Sequence, residues 1–361
     1  MTLRIDISGL PPERLRFAAS PLAELTAMLH VLAEPGHHPQ RAEWAADVWA
    51  GLPPEPAERL REAEFLWRSS QADFLLPARP RATLAEELDD VDRIDDEAYA
   101  TAALVATCGG GRTGSATGSP LADADARERA LDLAQARGPR QEAFAERLLA
   151  DPAAVRARVR HTLEQCAAAF FDAAWADVVV RIATDLRLKN DLVRRQGLAA
   201  ALASVSGAVT LAPDGGHIVV DKLQDKSTAA QGAGVTFIPS VFNSPHLVVV
   251  HAPGWQPVVQ YPVAEPGPAE PVPMETVTLR LEALAHPLRL RLLRTLARGP
   301  HTTGELAHTW GLSLPEVSRH LAVLRRAGLL TARREGRYVR HTLNVPDLTA
   351  LGTDLLAAVL R

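Results

Sequence analysis

Between residues 313 and 343 the chain carries polar and basic side chains at spacings that could serve contact with a nucleic acid. Glu316, Ser318, Arg319, Ala322 and Arg326 share one side of a helical projection, while Val317, Leu321 and Leu324 recur on the other. An arginine on such an open side can meet both acceptors of a guanine edge at once. Arginines that do not reach a base, such as Arg325, Arg326, Arg333, Arg334, Arg337 and Arg340, can neutralise phosphates.

The elements that must hold these groups are written in the same stretch. Ser313 and Glu316 have capping-box spacing, Pro315 sits in the first turn where an N–H would have no partner, and Gly328 ends the predicted helix. Upstream, Thr302 and Glu305 repeat that spacing and open a short helix through Leu306, Ala307 and Trp310 that stops at Gly311. Two short helices across a tight turn read as helix-turn-helix. Residues 329–334 and 338–343 then predict two strands joined across Glu335-Gly336-Arg337, a wing with Arg333, Arg334, Arg337 and Arg340 on or beside it. A unit of this kind lays its second helix in the major groove, where side chains near the helix start reach base edges.

Three runs, ALAHPLRLRLLRTL (283–296), GELAHTWGLSLPEVSRHLAVLRRAGLL (304–330) and EGRYVRHTL (335–343), resemble the ArsR/SmtB family of bacterial winged-helix repressors over roughly the last quarter of the chain. The resemblance implies base contacts from Ser318 and Arg319, helped by Glu316 and His320. Leu314 and Pro315 stand where metal-sensing members carry polar readers such as Gln and Ser. It also implies that the first and last helices of the module pair two subunits. The stripe Leu348, Leu351, Leu355, Leu356 and Val359 suits that dimerisation. The partners expected are a double-stranded operator, probed as an inverted repeat by a homodimer, and a small-molecule effector. Soft metals and arsenite need thiolates, but the run Glu305-Leu306-Ala307-His308-Thr309-Trp310 has no cysteine, and the last helix offers only Asp347 and Asp354. No metal and no cofactor are expected there.

At 361 residues the chain is long enough for two or three domains, with 47% hydrophobic and 23% charged residues. Its net charge of −4 conceals a division. From Met274 onward thirteen Arg stand against five Glu and two Asp, leaving +6, and the remainder carries −10. A basic end on an acidic body is expected where only that end meets a polyanion. Cys108 and Cys166 are too few and too far apart for a disulfide framework. The first ten residues lack the basic start and apolar run of a signal peptide. The uncharged segment 196–213 is broken by Gly197 and Gly207 and makes a poor membrane span. The expected location is the cytoplasm, with no membrane partner.

The fold class expected is mainly α with a small antiparallel sheet (α+β) in an N-terminal body, followed by a C-terminal winged helix-turn-helix. The expected domains are an α-rich regulatory body over 1–262, with its β region at about 204–262, a Pro-rich spacer over 263–273, and the winged module over 274–361. In the body, Leu3, Ile5 and Ile7 alternate as in a strand. Helices are predicted over 20–32, 40–50, 55–69, 84–107, 122–137, 141–149 and 152–195. The last carries an aromatic stripe, Phe170, Phe171 and Trp175, read as core. His30, His37 and His38 lack carboxylate or cysteine companions at ligand spacing, so metal is not expected of them. The acidic run Glu86, Glu87, Asp89, Asp90, Asp92, Asp95, Asp96, Glu97 lacks the glycine of a calcium loop and reads as a solvated helix face. CGGGRTGSATGSP (108–120) lacks the Gly-Lys-Ser/Thr of a phosphate loop and reads as a flexible connection. Ser240, Asn243 and Ser244, with His217, His246 and His251, define no Ser/His/Asp order.

The function these features imply is a sequence-specific DNA-binding regulator, a homodimeric repressor answering an effector through its N-terminal domain, and no enzyme. The competing reading is a small-molecule-binding or enzymatic body with the winged module as an autoregulatory appendage. A third gives the wing and second helix to a partner protein. Two stretches, SPLAELTAMLHVLAEPGHHP (20–39) and TFIPSVFNSPHLVVV (236–250), look like a domain of unknown function found on long ArsR-like regulators.

Overall fold

The structure is a computed structural model. It describes residues 2–68, 71–108, 118–206, 208–221, 226–230, 232–244, 246–263, 274–335 and 338–359. The predicted flexible connection falls largely outside them, as does the proline-rich spacer. The chain divides into two contact units, Met1–Pro35 with Gln40–Glu265, and Gly36–Pro39 with Pro266–Arg361.

The first unit contains β1 (Thr2–Asp6), β2 (Leu15–Phe17) and helices α1 (Pro21–Ala33), α2 (Ala42–Gly51), α3 (Pro54–Ala63), α4 (Phe65–Arg68), α5 (Leu84–Asp92) and α6 (Asp96–Cys108). It continues through α7 (Ala124–Gln135), α8 (Pro139–Ala150), α9 (Pro152–Cys166), α10 (Asp172–Gln196) and α11 (Leu198–Ala203), then β3 (Val209–Leu211), β4 (His217–Asp221), β5 (Lys226–Ala229), β6 (Val235–Ser240), β7 (Val248–Val250) and β8 (Val258–Pro262). Its centre is α1, apolar nearly all round and buried accordingly, with Leu22, Leu25, Met28 and Leu29 fully enclosed. Ser20 caps it, its hydroxyl accepting from the Ala23 N–H at 3.0 Å.

Two carboxylates fasten this helix, and one corrects the expectation of a solvated acidic face. Glu87 is fully buried and accepts from the Leu22 N–H at 2.7 Å, the Ser20 hydroxyl at 3.0 Å and the Arg81 N–H at 3.0 Å. A side chain that answers unpaired donors at a helix start is stabilised inside, whatever its neighbours in the run do. Glu24 accepts from the Val241 and Phe242 N–H groups at 3.0 and 3.1 Å. Burial pushes both carboxyls up to about 7. The rest of the run is more exposed, and four of its members are salt-bridged, Asp90 to Arg81 and Arg93, Asp89 and Asp92 to Arg160, and Asp96 to Arg156.

The β region also differs from the expectation of one antiparallel sheet. Two mixed sheets form, ordered β3-β4-β1-β5 and β2-β6-β8-β7. The pairs β1 with β5, β2 with β6, and β6 with β8 are parallel. Strands from the extreme N-terminus thus enter both sheets. All six residues of β6 are buried, as parallel strands covered on both faces tend to be. The helix predicted over 152–195 is interrupted by a π-helical stretch, Ala167–Phe171. Phe170 and Phe171 are buried there, with Phe171 stacked on Trp175 at 5.2 Å, so the aromatic stripe is core.

The second unit comprises α12 (Met274–Leu284), α13 (Pro287–Leu296), β9 (His301–Thr302), α14 (Thr303–Trp310), α15 (Leu314–Arg326), β10 (Leu330–Glu335), β11 (Tyr338–Leu343) and α16 (Val345–Val359). The break before α13 falls at His286-Pro287, where the His286 ring accepts from the Leu288 N–H at 3.2 Å. Leu292, Leu296, Leu306, Val317, Leu321, Leu324 and Leu329 form its core. Among the described residues no helix is long and apolar enough to cross a membrane.

Candidate nucleic-acid interface

Capping chemistry fixes where α14 and α15 begin and end. Thr302 and Glu305 complete a capping box, the Glu305 N–H donating to the Thr302 hydroxyl at 3.2 Å and the Thr302 N–H to the Glu305 carboxylate at 2.6 Å. That N–H holds the Glu305 carboxyl below its usual range. Gly311 closes α14 at φ 62°, a left-handed conformation that a side chain would strain. Ser313 then caps α15, accepting from the Glu316 N–H at 3.4 Å. At the far end Gly328 turns the chain at φ 75°, and the Leu329 N–H returns to the Leu324 carbonyl at 3.0 Å.

With the ends fixed, packing fixes the rotation. Val317, Leu321 and Leu324 are buried, which leaves Ser318, Arg319, Ala322, Arg325 and Arg326 exposed. The other two predicted readers are placed differently. Glu316 and His320 are half-buried, and the His320 ring lies 4.7 Å from that of His286. Burial first, then His286 and Arg289, hold the His320 pKa below the usual histidine value. His320 therefore favours the neutral imidazole and lies against the start of α13, less open than Ser318 or Arg319.

The hairpin follows in register, Arg333 opposite Arg340 and Arg334 opposite Val339, with β9 added beside β11. Glu335 belongs to β10 rather than to the turn. Arg333 and Arg334 are exposed and Arg340 half-buried; Arg337 lies outside the described residues. Like charges directly opposite on a hairpin disfavour it, and Arg340 also helps hold the Glu305 carboxyl below its usual range. Asn344 closes the base of the wing, its amide donating to the Gly328 carbonyl at 2.8 Å. Such a surface can offer one polar helix face to base edges and a basic ribbon to phosphates.

Sequence reasoning missed a buried clamp. Arg280 on α12, 6% exposed, pairs with Asp347 at 2.8 Å and with Asp354 at 2.9 Å, both on α16. The two carboxylates considered as metal ligands on the last helix are thus engaged by a guanidinium of the first. Of the dimerisation stripe, Leu348, Leu351 and Leu355 are half-buried, and Leu348 packs on the module's own core. The side chains of Leu356 and Val359 lie outside the described residues. A basic residue at helical spacing within an apolar stretch, as Arg280 is among Val277, Leu281 and Ala283, was the available signal.

Elsewhere, the Nδ1 of His30 lies 3.0 Å from the Trp67 carbonyl and its ring meets that of His246 edge-on at 4.9 Å. Cys108 and Cys166 are free and buried, and burial raises both thiols. Ser240 and Asn243 serve the turn after β6, the Asn243 N–H donating to the Ser240 hydroxyl at 3.0 Å.

A family of unknown function, DUF5937, matches residues 1–267, and a helix-turn-helix domain model matches 284–333. Among similar proteins is a biofilm growth-associated repressor of Agrobacterium fabrum, 40% identical over 78 residues, covering 22% of this chain and 67% of that one. Another is a probable mercury resistance operon repressor of Streptomyces lividans, 38% identical over 86 residues, covering 23% and 69%. A crystal structure of an ArsR family transcriptional regulator aligns at 29% identity over 24% of this chain and 90% of that one, with a TM-score of 0.23. The chain therefore belongs to the DUF5937 family and carries at its C-terminal end the winged helix-turn-helix of an ArsR-type transcriptional regulator.

Proposed function

We propose that the protein is a homodimeric repressor that binds an inverted-repeat operator through α15 and the wing, with Ser318 and Arg319 reading bases and Arg325, Arg326, Arg333, Arg334, Arg337 and Arg340 gripping phosphates. The observation that carries this reading is the exposed Ser318 and Arg319 face of a helix whose ends and rotation are fixed by caps and core. The +6 charge of the end module against −10 elsewhere supports the same surface. Relatives named as repressors support the sign of the action. Pairing of subunits falls to α12 and α16, with Leu351 and Leu355 half-buried within one chain and able to bury more in a pair.

In this reading residues 1–262 form the sensory domain, 263–273 the spacer and 274–361 the DNA-binding domain. The sensory domain binds an effector without chemistry on it, in the cytoplasm. An effector shifts DNA affinity only by its differential affinity for the two states. The test is binding of the full chain to a random duplex pool across a salt series. A selected sequence and an affinity that falls steeply with salt are expected. Binding that selects nothing, or that ignores salt, would count against the reading, and a protein target would show the second behaviour.

A further inference from the structure

We infer that Leu314 reads the C5-methyl group of a thymine, so that each half of the operator carries a thymine at a fixed step from the base pair contacted by Arg319. The inference rests on the reading of α15 as the helix that enters the major groove.

Leu314 is the first residue of α15 and is 57% exposed, one of eight large apolar side chains left open among the described residues. A single exposed leucine is ordinary. Its setting is not. Leu314 lies one helical turn before Ser318, and Pro315 one turn before Arg319, so the leucine continues the row of exposed side chains on this face. Side chains on a helix lean toward its N-terminus, which carries Leu314 beyond the helix end. That end of a recognition helix approaches base edges most closely. Next to it and one turn along the same face, Ser313, Ser318 and Arg319 are exposed.

An apolar side chain at this place gains from an apolar partner, and the base edges of a major groove supply one kind. Adenine, guanine and cytosine present donors and acceptors there, whereas thymine adds a methyl group. Leucine neither donates nor accepts, so it cannot replace a hydrogen-bonding reader. It can exclude water from that methyl and disfavour cytosine at the same step by leaving the exposed amino group without a partner.

The test replaces thymines by deoxyuridine, one at a time, in a duplex selected by the wild-type full chain. Deoxyuridine keeps every hydrogen-bonding group of thymine and removes the methyl alone. One thymine in each half-site is expected to be sensitive, its replacement weakening wild-type binding roughly fourfold, the worth of one buried methyl group. Leu314→Ala should bind the thymine and deoxyuridine duplexes equally, and Leu314→Met should restore the difference. A wild-type protein that binds a selected duplex but tolerates deoxyuridine at every position overturns the inference and leaves the DNA-binding reading standing. Sensitivity that persists in Leu314→Ala assigns the methyl contact to another residue and overturns it as well. A wild-type protein that binds no duplex overturns the reading and the inference together.

Discussion

Two arginines with the same charge are expected to do different work because of where each is held. Arg319 stands on the exposed side of a helix pinned by Ser313 and Gly328, so its guanidinium can be presented at a repeatable angle. Arg319→Ala should cost about 1–3 kcal/mol at one base pair and relax the preference there. Arg334 lies on a two-stranded ribbon, where a point charge needs no such registration. Arg334→Ala should weaken every duplex alike and flatten the salt dependence by about one counterion. Competition binding on selected and scrambled duplexes separates the two, and equal loss on both for Arg319→Ala would count against base reading. In the first unit the titratable residue to watch is Glu24, raised from 4.5 to about 7 chiefly by burial. Below about 4.5 both folded and unfolded chains hold this proton, and the stabilising balance is complete. As pH climbs through 7 the unfolded chain has already ionised and the folded core must follow at a cost, so stability declines. Glu87 follows the same direction. Unfolding in urea followed by tryptophan fluorescence reports mainly this unit, which holds Trp44, Trp49, Trp67, Trp175 and Trp255. Stability should fall from pH 5 to pH 7 and fall less in Glu24→Gln; an identical slope in the variant would remove Glu24 from the cause.

Among the elements, α12 and α16 are joined by groups that no local pattern announces. Arg280 is separated from Asp354 by 74 residues, and only a fold that brings the two helices together buries the pair. Removing one member leaves an uncompensated charge in a dry place, which costs about 3–5 kcal/mol, whereas replacing both with apolar residues is often neutral. Arg280→Ala should therefore cost amide protection in α12 and α16 in hydrogen exchange, and Arg280→Met combined with Asp354→Leu should recover most of it. Unchanged protection in the single variant would mean that the clamp is dispensable. The contrast with α15 explains which elements were legible. Its start, end and buried face depend on residues three or four apart, and sequence spacing states those directly. The α14 cap at Thr302 and the α1 cap at Ser20 were readable for the same reason. Strand direction was not: Val235–Ser240 announces a strand, but its parallel pairing with Leu15–Phe17 depends on chain more than two hundred residues away. Nor was the burial of Glu87, since its acidic neighbours suggest solvent and its donors lie at the start of α1. At the candidate site the same limit appears at His320, whose helical position was plain and whose contact with His286 was not.

For the molecule as a whole, the separation of charge decides how it would meet DNA. A body of net −10 is repelled by phosphates, and a module of net +6 is attracted, so productive encounters are those led by the winged end. One module can cover only a few base pairs through a helix the length of α15, which limits the sequence it can specify. Pairing two copies doubles the contacted sequence and, with a two-fold axis, makes the two halves of the operator mirror one another. Recognition helices so related enter the same face of the duplex one helical turn apart, roughly 34–36 Å between centres. Footprinting of the full chain on its selected duplex should then show two protected half-sites in inverted orientation at that spacing. Scrambling one half should reduce the affinity toward that for random duplex, because the second module is left with phosphate contacts alone. Protection confined to one half-site, with full affinity retained after the other is scrambled, would sink the dimer and leave a single winged module to account for the binding.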